Sequence, residues 1–175
     1  MMDQFMKGID LCQSFFYEIA QPILDEEFSD LRYSAGLIGY GSDVLGFDDP
    51  MSTDHMWGPR FNLFLTPGDF ETSQARIADV FASRFPYQYK GYSVHFSPSD
   101  PQDGGVRVRE DIQSGRVDPL IEYHTPASFF LDYLGWNPDT EITLQQWLTF
   151  PEHRLLGATS GRIFHDALGI AKCQQ

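Results

Sequence analysis

Cysteine is scarce. Two residues, Cys12 and Cys173, stand near opposite ends of a 175-residue chain. They offer neither a disulfide framework nor a metal-like spacing, and they read as free thiols of a reducing, cytoplasmic compartment. Long apolar runs are missing as well. No stretch approaches the ~20 residues that a bilayer-spanning helix needs. The opening MMDQFMKGID lacks the basic-then-apolar signature of a secretory leader, so none is expected. Positive charge is in short supply: 12 Lys and Arg stand against 25 Asp and Glu, a net charge of −13. Such a surface repels a nucleic-acid backbone and an anionic membrane, so neither is expected as a partner. Repeats, low-complexity tracts and obvious linkers are also lacking, which points to a single compact domain. What is plentiful is apolar and aromatic material, 42% and 15% of the chain. That is enough to exclude a disordered chain and to predict a core built on aromatic packing.

Residues 3–28 carry Phe5, Ile9, Leu11, Cys12, Phe15, Phe16, Ile19 and Ile23 at helical spacing. They predict a helix that Pro22 kinks or divides. YSAGLIGYG (33–41) predicts a buried strand running into a tight turn. RFNLFLT (60–66) predicts a second strand, followed by a helix with Ile77, Val80, Phe81 and Phe85 on one side. YKGYSVHFS (89–97) predicts a third strand, PSDPQDGG (98–105) a mobile polar loop, and LIEYHT (120–125) a further strand. Thr125-Pro126 reads as a helix cap and Gly135 as the end of that helix. TLQQWLTFPEHRLLGATSGRIFHDALG predicts one or two more helices. Phe129, Phe130, Tyr133, Trp136 and Trp147 are expected in the core, and His124, His153 and His165 as structural histidines. The order of elements gives an α+β or α/β fold, with a core over 1–135 and a short helical extension over 136–175 packed on it.

The densest chemistry lies in GSDVLGFDDPMSTDHMWGPR (41–60). A strand that ends in Gly41-Ser42 exposes backbone N–H groups and a hydroxyl, a ready site for phosphate oxygens. Glycine there lets the backbone approach a ligand closely. Asp54, just ahead of the second strand, can hold Mg²⁺ against those phosphates. The plain structural alternatives are a strand-ending turn at 41–42, a solvated turn at Asp48-Asp49-Pro50, and an Asp54 that caps a helix or pairs with Arg60. Trp57 and Arg60 are expected to lock the bend at WGPR, with phosphate contact by Arg60 as the other reading.

Gly-Ser, a spacer, then Asp-x-Asp or Asp-x-Glu resembles the nucleotidyltransferase superfamily of polymerase-β-like fold. The longer string GYGSDVLGFDDPMSTDHMWGPR resembles one branch of it, the domain of unknown function 4037 family. VHFSPSDPQDGGVRV and DYLGWNPDTEITLQQWLTFPEHRLLGATSGRIFHDALG resemble it too, so the likeness runs from about residue 5 to residue 170. The resemblance implies an α+β, mixed-sheet nucleotidyltransferase core. It also implies Mg²⁺-dependent transfer of a nucleotidyl group from a nucleoside triphosphate to a small-molecule or protein acceptor. Gly41 and Ser42 match the phosphate turn and Asp54 the first metal carboxylate. Position 56 should hold the second carboxylate and holds Met56, a poor ligand for a hard cation. Asp48 or Asp49 in the spacer, or Glu122 on the later strand, are the acids that could complete the set.

The resemblance also implies further helices beyond GRIFHDALG, so an uncovered apolar face and a homodimer are expected. Three functions stay open at this stage. One is a nucleotidyltransferase that uses Asp54 and Glu122 for catalysis, Asp54 and Asp49 for Mg²⁺, and Gly41, Ser42 and Arg60 for the nucleotide. Another is a catalytically degenerate nucleotide-binding or oligomerising module. The third is a zinc hydrolase built on His55 and His95.

Overall fold

The computed structural model describes the backbone of residues 5–174 and the side chains of residues 5–172. The expected helix start at residue 3 and the Cys173 thiol lie outside the described residues. The N-terminal helix runs as α1 (Gly8–Phe15), a π turn (Phe16–Ala20) and α2 (Gln21–Glu27). Pro22 explains the interruption. It brings no N–H, and its ring would strike the carbonyl four residues back in a regular helix. The π turn widens the spiral just ahead of the proline, and the helix goes on.

Next come β1 (Tyr33–Leu37), β2 (Arg60–Leu65) and α3 (Pro67–Arg84). Thr66 caps α3 by accepting the Asp69 N–H at 3.2 Å. A small hairpin, β3 (Gln88–Tyr89) and β4 (Tyr92–Ser93), precedes β5 (Leu120–His124). Helices α4 (Pro126–Leu134), α5 (Leu144–Thr149) and α6 (Glu152–Thr159) lead to the last strand, β6 (Arg162–Asp166). The main sheet is mixed, in the order β5-β2-β1-β6. β1 lies antiparallel to β2 and β6, and β2 runs parallel to β5. The fold is therefore α+β, as the element order predicts.

Every residue of β1 and β2 is buried. Alternation along β2 divides its side chains between two layers. Phe61, Leu63 and Leu65 join Leu11, Phe15, Phe16, Ile77 and Phe81 in the main core. Phe64 joins Ile38, Phe129, Phe130, Ala158 and Ile170 in a smaller cluster on the other face. Each such side chain, fully buried, contributes about 1.5–3 kcal/mol. Helix α4 has the expected ends: Thr125 and Ser128 cap each other's backbone, and Gly135 closes the helix in the left-handed region at φ 73°.

The structure departs from the sequence reading in three places. Residues 89–97 form no third long strand. Lys90 and Gly91, both at positive φ, turn the chain back at once. Residues 162–166, expected to be helical, form β6. A fully buried β1 needs hydrogen-bond partners on both edges, and β6 supplies the second. The segment 136–175 is thus partly an edge of the central sheet. Trp147, expected in the core, is 51% exposed, beside Leu144 and Leu148 at 74% and 75% on α5. No described helix is long and apolar enough to cross a membrane.

Candidate functional site

The face of β2 opposite the main core carries Arg60, Asn62 and Phe64. The parallel register sets Leu120, Glu122 and His124 of β5 beside them, one for one. A polar stripe thus crosses a layer that is otherwise aromatic. β1 ends against this stripe: Asn62 Oδ1 accepts the Ile38 N–H at 3.2 Å. The chain then turns through Tyr40, Gly41 and Ser42.

Arg60 and Asp43 form a buried ion pair, with side chains 5% and 1% exposed. The guanidinium reaches Asp43 Oδ1 at 2.7 Å and Oδ2 at 3.3 Å, and donates to the Tyr40 carbonyl at 3.0 Å. Burial works against the Arg60 charge, but Asp43, together with Cys12 and Tyr40, outweighs it, so the guanidinium is held more firmly protonated than usual. Gly41 sits at φ 124° directly against this pair, and a Cβ there would run into both Asp43 Oδ1 and Arg60 Nη2. The glycine has a packing reason that needs no phosphate.

Glu122 is the centre of the second group. Tyr40 donates its hydroxyl to Glu122 Oε1, and Asn62 Nδ2 donates to Oε2 at 3.2 Å. His124 Nε2 lies 3.5 Å from Oε2, and it is buried without a hydrogen-bond partner. Burial pushes the Glu122 carboxyl up, but His124 and Tyr40, with the Arg60 charge, more than offset this, and the net shift is downwards. Burial, then the neighbouring carboxylate, pushes the Tyr40 phenol up, so it stays a neutral donor. Two cavities share Tyr40 and Glu122 as walls. The larger, about 400 Å³, is also lined by Met56, Gly104, Gly105 and Val106. The smaller, about 140 Å³, is also lined by His124, Phe129, Asp132 and Tyr133.

The residues singled out in the sequence are dispersed among these groups. Ser42 is half-buried, and its hydroxyl makes no hydrogen bond among the described residues. Asp54 is 67% exposed and pairs with its neighbour His55 at 2.8 Å, not with Arg60. Its carboxyl is held below the ordinary value, first by its own backbone N–H and less by His55. Asp49 caps the short 3₁₀ turn 50–52, accepting from Met51 N and Ser52 N at 2.8 and 3.1 Å. Asp48 is no solvated turn residue. It is 1% exposed and accepts from Gly8 N at 2.6 Å and Trp57 Nε1 at 3.1 Å, anchoring the start of α1. A carboxylate suits that position because the first amides of a helix point outwards and carry partial positive charge. His95 Nδ1 accepts the Asp118 N–H at 2.9 Å, so His95 and His55 have separate partners. Of the other histidines, His153 is exposed and His165 packs tilted against Tyr33, ring centres 4.6 Å apart.

These donors do not fit a Mg²⁺ clamp. Asp49 is used in a cap, Asp54 faces solvent beside His55, and Glu122 is held by Tyr40 and Asn62. Among the described residues no group of three or more His, Cys, Asp or Glu could hold a metal ion.

Asp43, Asn62 and Tyr40 carry much of this geometry and were not singled out in the sequence. One signal was present for Asn62: it is a polar residue in RFNLFL, on the same alternate positions as Arg60. Its meaning depended on the register with LIEYH, which lies 60 residues further along. No family model, curated protein or solved structure matches the chain.

Proposed function

We propose that the chain is a ligand-binding module descended from the nucleotidyltransferase fold that no longer transfers a nucleotidyl group. The observation that carries this reading is the placement of Met56. It lines the larger cavity together with Glu122, at the position where the family resemblance calls for a second metal carboxylate. Its sulfur accepts the Arg107 N–H at 3.2 Å, and its own N–H donates to the Arg107 carbonyl at 3.0 Å. A thioether at that wall offers a hard cation nothing. Without a metal, Glu122 and the net charge of −13 oppose a triphosphate. The ancestry rests on the order of parts: Gly41-Ser42 after β1, an antiparallel β2, and an acid on the parallel neighbour β5. The cavities beside that turn supply the volume for a ligand.

Calorimetric titration of ATP and GTP, each with and without Mg²⁺, tests the reading. The expected result is no metal-dependent binding by wild-type protein, and no difference from Asp54→Ala. Mg²⁺-dependent nucleotide binding that Asp54→Ala abolishes overturns the module and restores the transferase.

A further inference from the structure

We propose that the open edge of β5 takes an extended peptide as an added strand, one that alternates basic and apolar side chains. The inference rests on the module reading and names its class of ligand. β5 closes one side of the main sheet, with β2 beside it in the order β5-β2-β1-β6. Among the described residues no hydrogen bond reaches the Leu120–His124 backbone from the other side. The amides and carbonyls of such an edge point outwards and template a further strand. The far edge of the sheet differs, because the Tyr17 hydroxyl donates to the Phe164 carbonyl of β6.

Cavities flank this edge on both faces. Just ahead of β5 the chain is tied down: the Phe96 N–H donates to the Asp118 carbonyl at 2.9 Å, and Arg107 reaches the same carbonyl at 3.2 Å. Beyond Asp118 no hydrogen bond joins the segment 104–107 to β5 among the described residues. On the α3 side, Ala78, Ala82, Arg107, Ile121 and Tyr123 line a cavity of about 390 Å³. On the other face lies the cavity of about 400 Å³ between Glu122 and Gly104, Gly105 and Val106. The register explains the division: Ile121 and Tyr123 sit beside Phe61 and Leu63 of the main core, and Glu122 sits beside Asn62. A Cβ on Gly104 would meet nothing within 4 Å. Successive side chains of an added strand point to opposite faces, so one enters each cavity in turn. Main-chain bonds along an edge, with pockets for alternate side chains, are the two requirements of recognition by strand addition.

The walls set the chemistry of the peptide. Ala78, Ala82, Ile121 and the Tyr123 ring favour an apolar side chain on the α3 side. The Tyr123 hydroxyl, without a hydrogen-bond partner among the described residues, is free to donate to a peptide carbonyl. Glu122 stands on the other face, and Asp103 is exposed beside Gly104 without an ion-pair partner among the described residues. With a net charge of −13, they favour Lys or Arg at the alternate positions. An acidic peptide is repelled, and so is a second copy of the chain.

The test is an NMR titration with the blocked peptide Lys-Val-Lys-Phe-Lys-Val-Lys. It is expected to bind saturably, to shift the amides of β5 and to slow the exchange of the outward ones by about tenfold or more. Two further versions carry N-methyl groups on alternate residues, on the Lys positions or on the Val and Phe positions. Each removes the donors of one peptide edge and keeps every side chain. One version is expected to bind about tenfold more weakly or worse, and the other like the parent. Lys-Lys-Lys-Lys-Val-Phe-Val has the same charge without the alternation, and it too is expected to lose about tenfold or more. The peptide with Glu in place of Lys is expected not to bind. Ala78→Phe fills the α3-side cavity from the half-buried side of α3, and it should weaken the parent peptide by about tenfold. No binding of the parent peptide refutes the proposal, as does equal binding of both methylated versions or of the rearranged peptide. Ala78→Phe without effect in a protein of native circular dichroism also refutes it. If that variant does not fold, the methylated pair decides. Dimerisation of the free protein that protects the β5 amides would put a second copy on the edge and overturn the peptide. Failure here with no Mg²⁺-nucleotide binding leaves the module reading standing without this ligand. Mg²⁺-nucleotide binding lost in Asp54→Ala removes the module reading whatever the peptides do.

Discussion

Asp43→Ala is the sharpest probe of the Arg60–Asp43 pair beneath the turn. The change strands a guanidinium whose side chain is 5% exposed. Two contacts to the carboxylate disappear, and among the described residues the Tyr40 carbonyl at 3.0 Å and the Tyr40 ring remain as partners. Removing one member of such a pair costs about 3–5 kcal/mol, because an uncompensated buried charge is left behind. That is a large part of the ~5–15 kcal/mol that holds a domain together. With a urea slope near 2 kcal/mol per molar, the midpoint falls by about 2 M. Arg60→Met should cost a similar amount, since it strands Asp43. Asp43→Leu with Arg60→Met removes both charges and fills the space, and it should lie within about 2 kcal/mol of wild type. Urea unfolding of wild type, Asp43→Leu, Arg60→Met and the double variant, followed by fluorescence, closes the cycle, with Asp43→Ala measured beside it. If Asp43→Ala costs under about 1 kcal/mol, or if the double variant is as unstable as the sum of the singles, the pair is not buried in the sense described.

Cys12 is 0% exposed, and burial, only partly offset by Arg60, pushes its thiol from 9.0 up to about 12. A raised value means that the stabilisation is complete below pH 9.0 and is lost as pH climbs towards about 12. Urea unfolding should show wild type losing about 2 kcal/mol more than Cys12→Ala between pH 8 and about pH 10.5. Parallel slopes would rule the buried thiol out. Gly157→Ala places a methyl against the Gly39 carbonyl and the Tyr133 hydroxyl, where α6 meets the end of β1. Overpacking of this kind costs about 1–3 kcal/mol. The melting temperature should fall by roughly 3–10 °C in differential scanning calorimetry, and an unchanged melt would mean that α6 is free to move away.

The elements that were legible in the sequence are those whose cause is local. Thr125-Pro126 and Gly135 bound α4 as read, because a cap and a left-handed closure are set by neighbouring residues. The π turn before Pro22 has the same local origin. What the sequence hid depends on register. GRIFHDALG carries apolar residues at a spacing compatible with a helix, yet the open edge of β1 recruits it as β6. Trp147 looked like core as one of a set of helical aromatics, but α5 leaves Leu144, Trp147 and Leu148 exposed among the described residues. The sequence reading put weight on Asp54 and Asp49 and none on Asp43, whereas the fold leaves Asp54 and Asp49 exposed and buries Asp43 and Asp48.

The turn at 41–42 shows how a motif can carry two messages. Gly41 is fully accounted for by the ion pair at its back, since no larger residue fits between Asp43 and Arg60. Its presence therefore says little about a phosphate. Ser42 differs: it is half-buried, and its hydroxyl has no hydrogen-bond partner among the described residues. Any functional content of the turn resides in Ser42 and in the cavities that Tyr40 and Glu122 divide. A turn held in shape by a buried ion pair keeps that shape whatever its ligand. The cavity beside it has Met56 and Glu122 among its walls, and a thioether there offers a hard cation nothing.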